Sequence, residues 1–140
     1  MGVCGVAKTD RGDGGGGMTN WYFGWGSILG AFATGAAIGL YFHRERFLGG
    51  YDSFRRRLVR LGHIAQAALG MMNVLYAVSC RPAESSFDGQ MASIGFIVGG
   101  VSMPAVCFLT AWRAGFRHLF FIPVVALVSA VIHTLRIGPP

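Results

Sequence analysis

Four histidines, His43, His63, His118 and His133, are the side chains of this chain best suited to chemistry. Imidazole is the common protein ligand for haem iron, zinc and copper. His63 is followed by Gln66, Gly70 and Asn73 at i+3, i+7 and i+10. On a helical wheel these four fall within about 80° of one another and make one polar stripe. His118, Ser129 and His133 fall within about 60° on a second helix. Lipid penalises such stripes, so both are expected to face the protein interior and to meet there. His63 and His118 would then lie at similar depth as a ligand pair for haem b or a metal ion. His133, about 22 Å along the helix from His118, cannot share the same ion. The ordinary use of such groups is interhelical hydrogen bonding, about half to one kcal/mol each.

The second distinctive stretch joins two apolar runs and carries Arg44, Arg46, Arg55, Arg56, Arg57 and Arg60. Their expected role is contact with anionic lipid headgroups, or docking of a partner subunit. Glu45 or Asp52 is placed to pair with one of them, while Phe47, Leu48, Tyr51 and Phe54 would rest on the headgroup layer.

Enzyme signatures are missing: there is no HExxH, no Ser/His/Asp grouping and no nucleotide loop. The glycine run 14–17 continues into Met18-Thr19 where a phosphate loop needs Lys-Ser/Thr. All six acidic residues lie outside the apolar runs, which weighs against proton-coupled transport. Cys4, Cys80 and Cys107 show no metal-binding spacing; Cys4 and Cys80 fall on one side and would pair only in an oxidising compartment.

The elements that must position these groups are set by composition. The 140 residues are 53% hydrophobic and 13% charged, with a mean hydropathy of +0.51. A soluble domain carries about twice that charged fraction, so the expected solvent is lipid. Four apolar runs, at about 21–42, 58–80, 89–112 and 117–137, are each long enough to span a membrane as helix. The fold class expected is an all-α bundle of four transmembrane helices over residues 20–138, preceded by a flexible glycine-rich tail, 1–19. Trp21, Tyr22 and Trp25 at one end of the first run, and Tyr41 and Phe42 at the other, match interfacial aromatic belts. Pro123 is expected to kink the fourth run.

The basic residues sort by side. Arg113 and Arg117 join the six arginines of the first connection, against Lys8, Arg11, Arg81 and Arg136 opposite. The positive-inside rule puts the arginine-rich side in the cytoplasm and both termini outside. The formal charge of +6 is thereby explained by topology, and nucleic-acid binding is not expected. Gly26-xxx-Gly30, Gly35-xxx-Gly39 and Gly95-xxx-Gly99 allow close helix packing, within the bundle or in a homodimer.

The function expected is a non-catalytic accessory or structural subunit, assembled with other membrane subunits or with a second copy. The alternatives are a haem- or metal-binding electron-transfer subunit using His63 and His118, and a small transporter or channel lined by Gln66 and Asn73.

Overall fold

The computed structural model describes residues 15–79 and 86–138. The chain forms α1 (Gly15–Phe42), a 3-10 turn (Phe47–Gly49), α2 (Phe54–Ser79), α3 (Phe87–Trp112), a 3-10 helix (Ala114–Phe120) and α4 (Phe121–Ile137). Every regular element among the described residues is helical. Four helical stretches are long and apolar enough to cross a membrane: Gly17–Phe42, Phe54–Ser79, Phe87–Trp112 and Ala114–Ile137. The protein is an all-α, four-helix, multi-pass membrane protein. Residues 1–14 of the tail, with Cys4, and Cys80 lie outside the described residues.

Two boundaries differ from the sequence expectation. First, α1 begins at Gly15, so residues 15–19 belong to the helix rather than to a tail, and the helix starts before the expected span at 21. Glycine lowers helix propensity, but the packing of Asn20 and Gly24 against α2 outweighs it. Second, the fourth span is composite. α4 has 17 residues, about 25 Å of helix and short for a ~30 Å hydrocarbon core. The preceding 3-10 helix rises faster, about 2 Å per residue, and makes up the length. Pro123 therefore sits in the first turn of α4, where its missing N–H costs little, and not at a mid-helix kink.

The helices pack in chain order, α1 on α2, α2 on α3 and α3 on α4, with a minor α1–α3 seam. Neither α1 nor α2 builds a packed interface with α4, so the bundle is an open arrangement and not a closed square. α3 lies at the centre. Its buried residues include Ala92, Ser93, Gly95, Phe96, Gly99 and Cys107. The expectation that the polar stripes of α2 and α4 meet is thus corrected, because α3 occupies the position between them.

Small residues set the close approaches. An added Cβ at Gly24 would lie 2.7 Å from the Gly70 carbonyl oxygen, so α1 and α2 touch backbone to backbone there. At Gly95 it would lie 2.8 Å from the Ala126 carbonyl oxygen, which marks the α3–α4 seam. Gly30 and Gly35 meet Gln66 and His63 of α2, whereas Gly26 and Gly39 face open space.

Candidate functional site

The polar side chains of the spans gather in three groups. The first joins α1, α2 and α3 near the end of the molecule where α1 begins. Asn20, Asn73 and Ser93 are all buried there. The Asn20 amide donates to Asn73 Oδ1 at 2.9 Å and to the Ser93 carbonyl at 3.4 Å, and its own oxygen accepts from Ser93 Oγ. The Asn73 amide donates to the carbonyls of Leu69 at 2.8 Å and Phe96 at 3.1 Å. Both carboxamides thereby use all their N–H donors, which is what burial requires. Tyr76, one turn further along α2, donates to the Gly89 carbonyl at 2.6 Å and packs its ring on Phe96.

The second group lies deeper along α1 and α2. Ser27 Oγ donates to the Gln66 carbonyl at 3.0 Å. Thr34 Oγ1 donates to the Ala31 carbonyl at 3.0 Å and approaches Gln66 Oε1 at 3.3 Å and His63 Nδ1 at 3.1 Å. One hydroxyl carries one proton, so the consistent arrangement has His63 Nδ1–H donating to Thr34. The other edge of the ring rests on the α1 backbone, since a Cβ at Gly35 would lie 2.9 Å from His63 Cε1.

The third group joins α3 to α4. His133 Nδ1 lies 2.5 Å from Asp88 Oδ1, with the ring edge against Phe87 at 6.0 Å between centroids. Arg136 reaches the same oxygen at 3.9 Å. Ser129 lies on an outer groove of α4 with His133 and Arg136.

His63, Gln66 and Asn73 are therefore met by α1 and α3, and His133 by α3. His118 stands exposed on the 3-10 helix that precedes α4. The His63 ring is packed on α1 against Thr34 and Gly35, and neither His63 nor His118 lines the cavities described below. Among the described residues no three His, Cys, Asp or Glu side chains converge as a metal site.

The arginine-rich connection is also built differently from the expectation. Arg44, Arg46, Arg55, Arg57 and Arg60 are exposed, but Arg56 is fully buried. Ser53 caps α2 by accepting the Arg56 N–H at 3.3 Å, which starts the helix with Arg56 turned toward the connection. Its Nε donates to the Phe47 carbonyl at 2.7 Å, and one Nη donates to the carbonyls of Arg44 and, at 3.3 Å, Glu45. The guanidinium lies over the rings of Tyr51 and Phe42, 4.5 and 5.1 Å from their centroids. Arg56 is a pin that folds its own loop, and not a headgroup ligand. Neither Glu45 nor Asp52 supplies an ion pair to the described arginines. The turn reverses through Leu48, Gly49 and Gly50, all with positive φ (55°, 91° and 100°).

Beside this loop lies a cavity of about 580 Å³ lined by Ala37, Tyr41, Leu48, Arg55, Phe108 and Trp112 among others. A second, of about 490 Å³, shares Phe108 and continues between α1 and α3 over Ser27, Thr34 and Gln66. No family model, curated protein or solved structure matches the chain.

Sequence reasoning missed Asn20, Ser93, Thr34 and Asp88. The signal for the α1 residues is present: Asn20, Ser27 and Thr34 recur every seven residues, with Gly24 and Ala31 between them. That is a small and polar heptad face of the kind that packs on a neighbouring membrane helix.

Proposed function

We propose that this protein is a non-catalytic accessory or structural subunit that completes a larger membrane assembly, with its arginine-rich face cytoplasmic. The observation that carries this reading is where the polar groups of the spans are engaged. The polar stripe of α2 is taken up in hydrogen bonds to α1 and α3, which glue the helices together. A hydroxyl, imidazole or carboxamide held in this way specifies helix register more than it offers reactivity. The open arrangement adds to the argument. α1 and α4 each pack mainly on one neighbour, so two flanks of the domain are left uncovered by the described residues. Helices that lack a second packing partner are ready to receive one, from another subunit or a second copy.

The test is the mass of the particle extracted from its native membrane in a mild detergent, measured by native mass spectrometry. A fixed stoichiometry with a second polypeptide, or a dimer, is the expected result. A monomer carrying only lipid overturns the reading. A visible absorption spectrum is recorded on the same sample, and a Soret band lost on His63→Ala would replace the subunit reading with electron transfer.

A further inference from the structure

We infer that the cavity between α1, α3 and the arginine-rich loop is a binding site for one anionic phospholipid, its headgroup on Arg55 and an acyl chain in the α1–α3 crevice. Arg55 lines the cavity and its guanidinium, unlike that of Arg56, makes no hydrogen bond or ion pair with any described residue. Its guanidinium is therefore a free fork for a phosphate, with the planar donors suited to that group. Tyr41 and Trp112 flank it at the depth where aromatic side chains meet the headgroup layer. The remaining wall is apolar, with Ala37, Leu48 and Phe108 facing the space. At about 580 Å³ it lies within the usual range for ligand cavities, about 300–1,000 Å³. The second cavity continues from Phe108 along the same α1–α3 crevice, giving a path for a chain toward the middle of the membrane.

Two features favour a lipid over a transmembrane helix of a partner. The loop pinned by Arg56 places Phe47 and Leu48 across the end of the crevice, so a helix about 10 Å wide that ran on past the headgroups would meet the turn. A lipid ends there, at its phosphate. The charge also matches: Arg44, Arg46, Arg57 and Arg60 are exposed in the same connection and draw anionic lipid toward this end of the protein. The site stands independently of the subunit reading, because a lipid can occupy it whether or not a partner covers the other flanks.

The experiment reconstitutes the full chain in phosphatidylcholine bilayers containing phosphatidylglycerol, extracts it in mild detergent, and counts retained lipids by native mass spectrometry. Wild type should keep one phosphatidylglycerol in preference to phosphatidylcholine. Arg55→Ala should lower that retention at least about fivefold, the effect of one basic contact near a lipid surface. Ala37→Phe, which fills the crevice and leaves every charge in place, should lower it as well, while Arg57→Ala, outside the cavity lining, should change retention through detergent extraction less than about twofold. Folding of each variant is checked by its melting profile in the same detergent, and Ala37→Leu replaces Ala37→Phe if the larger side chain fails that check. Equal losses for Arg55→Ala and Arg57→Ala would reduce the effect to diffuse charge attraction and overturn the site. Full retention in the folded crevice variant would overturn it too. So would a photo-crosslinker at position 37 that captures a polypeptide in place of lipid.

Discussion

The junction of α1, α2 and α3 and the arginine-rich loop are held by opposite means. Where α1 begins, three helices are joined by neutral groups, the carboxamides of Asn20 and Asn73 and the hydroxyl of Ser93, with every N–H of both amides used. Elsewhere one cation, Arg56, is drawn into its own loop and held by carbonyls and aromatic faces, with one nitrogen left without a protein partner. A group buried between three helices is best satisfied without charge, because burying an unpaired ion costs several kcal/mol. In the loop the charge can be shared with ring faces and peptide dipoles. The neutral network fixes which helices are neighbours; the cation fixes where a loop lies.

The largest effect should come from breaking the charged loop. Arg56→Met retains the apolar stem but removes donors to the carbonyls of residues 44, 45 and 47, hydrogen bonds worth about 1.5–3 kcal/mol each before water replaces them. A net loss of about 3 kcal/mol is expected in detergent melting, together with faster trypsin cleavage after Arg44 and Arg46. Unchanged cleavage would mean that the loop is held by the bilayer and not by Arg56.

Breaking the neutral junction should cost less. Asn73→Leu keeps the branching at Cγ but strands one donor of Asn20, for about 1–2 kcal/mol. Combining it with Asn20→Ala sharpens the comparison. In a shared network the double variant loses less than the sum of the single losses, whereas strict additivity would show that the two amides act separately.

Much of the frame was legible in the chain. The four spans follow from length and hydropathy, and the polar stripe of α2 from the spacing of His63, Gln66 and Asn73. The partner of that stripe was not legible. Periodicity gives the face of one helix and says nothing about which neighbour meets it; Thr34, inside an uncharged run, gives a weak signal alone. Asn20 was placed at the edge of the membrane domain, just before the first span, and given no role, although its heptad relation to Ser27 and Thr34 was available. Arg56 is indistinguishable in sequence from Arg55 and Arg57. Only the Ser53 cap and the reversal at Leu48–Gly50 single it out, and both depend on the folded loop.

The α3–α4 seam offers a smaller test that separates rigid from yielding contacts. Gly95→Ala directs its methyl at the Ala126 carbonyl and Ala130, which belong to a packed helix, and should cost about 1 kcal/mol or more. Gly99→Ala directs it at the Leu127 side chain, which can change rotamer, and should cost less than about 1 kcal/mol. Equal melting temperatures for the two would show that α4 shifts as a body when either site is enlarged.

The smallest expected effect belongs to His63, and it discriminates most sharply between gluing helices and binding a ligand. His63→Phe keeps an aromatic ring against Gly35 and removes the donor to Thr34. Interhelical hydrogen bonds of this kind average about 0.6 kcal/mol, and Thr34 keeps a second acceptor in the Ala31 carbonyl. The variant should therefore lose about half a kcal/mol, and Thr34→Val about the same. Because the two side chains share one bond, the double variant should lose little more than either single one. His118→Ala, at an exposed position, should fall within about half a kcal/mol of wild type. A ligand held by His63 predicts a different ranking: His63→Phe would then cost far more than Thr34→Val, since it would remove a coordinating nitrogen while the threonine change removed only a support. Melting profiles of these four variants, run beside wild type, decide between the two rankings. A His63→Phe loss above about 2 kcal/mol is too large for one interhelical hydrogen bond and would show that this imidazole does more than hold α1 to α2.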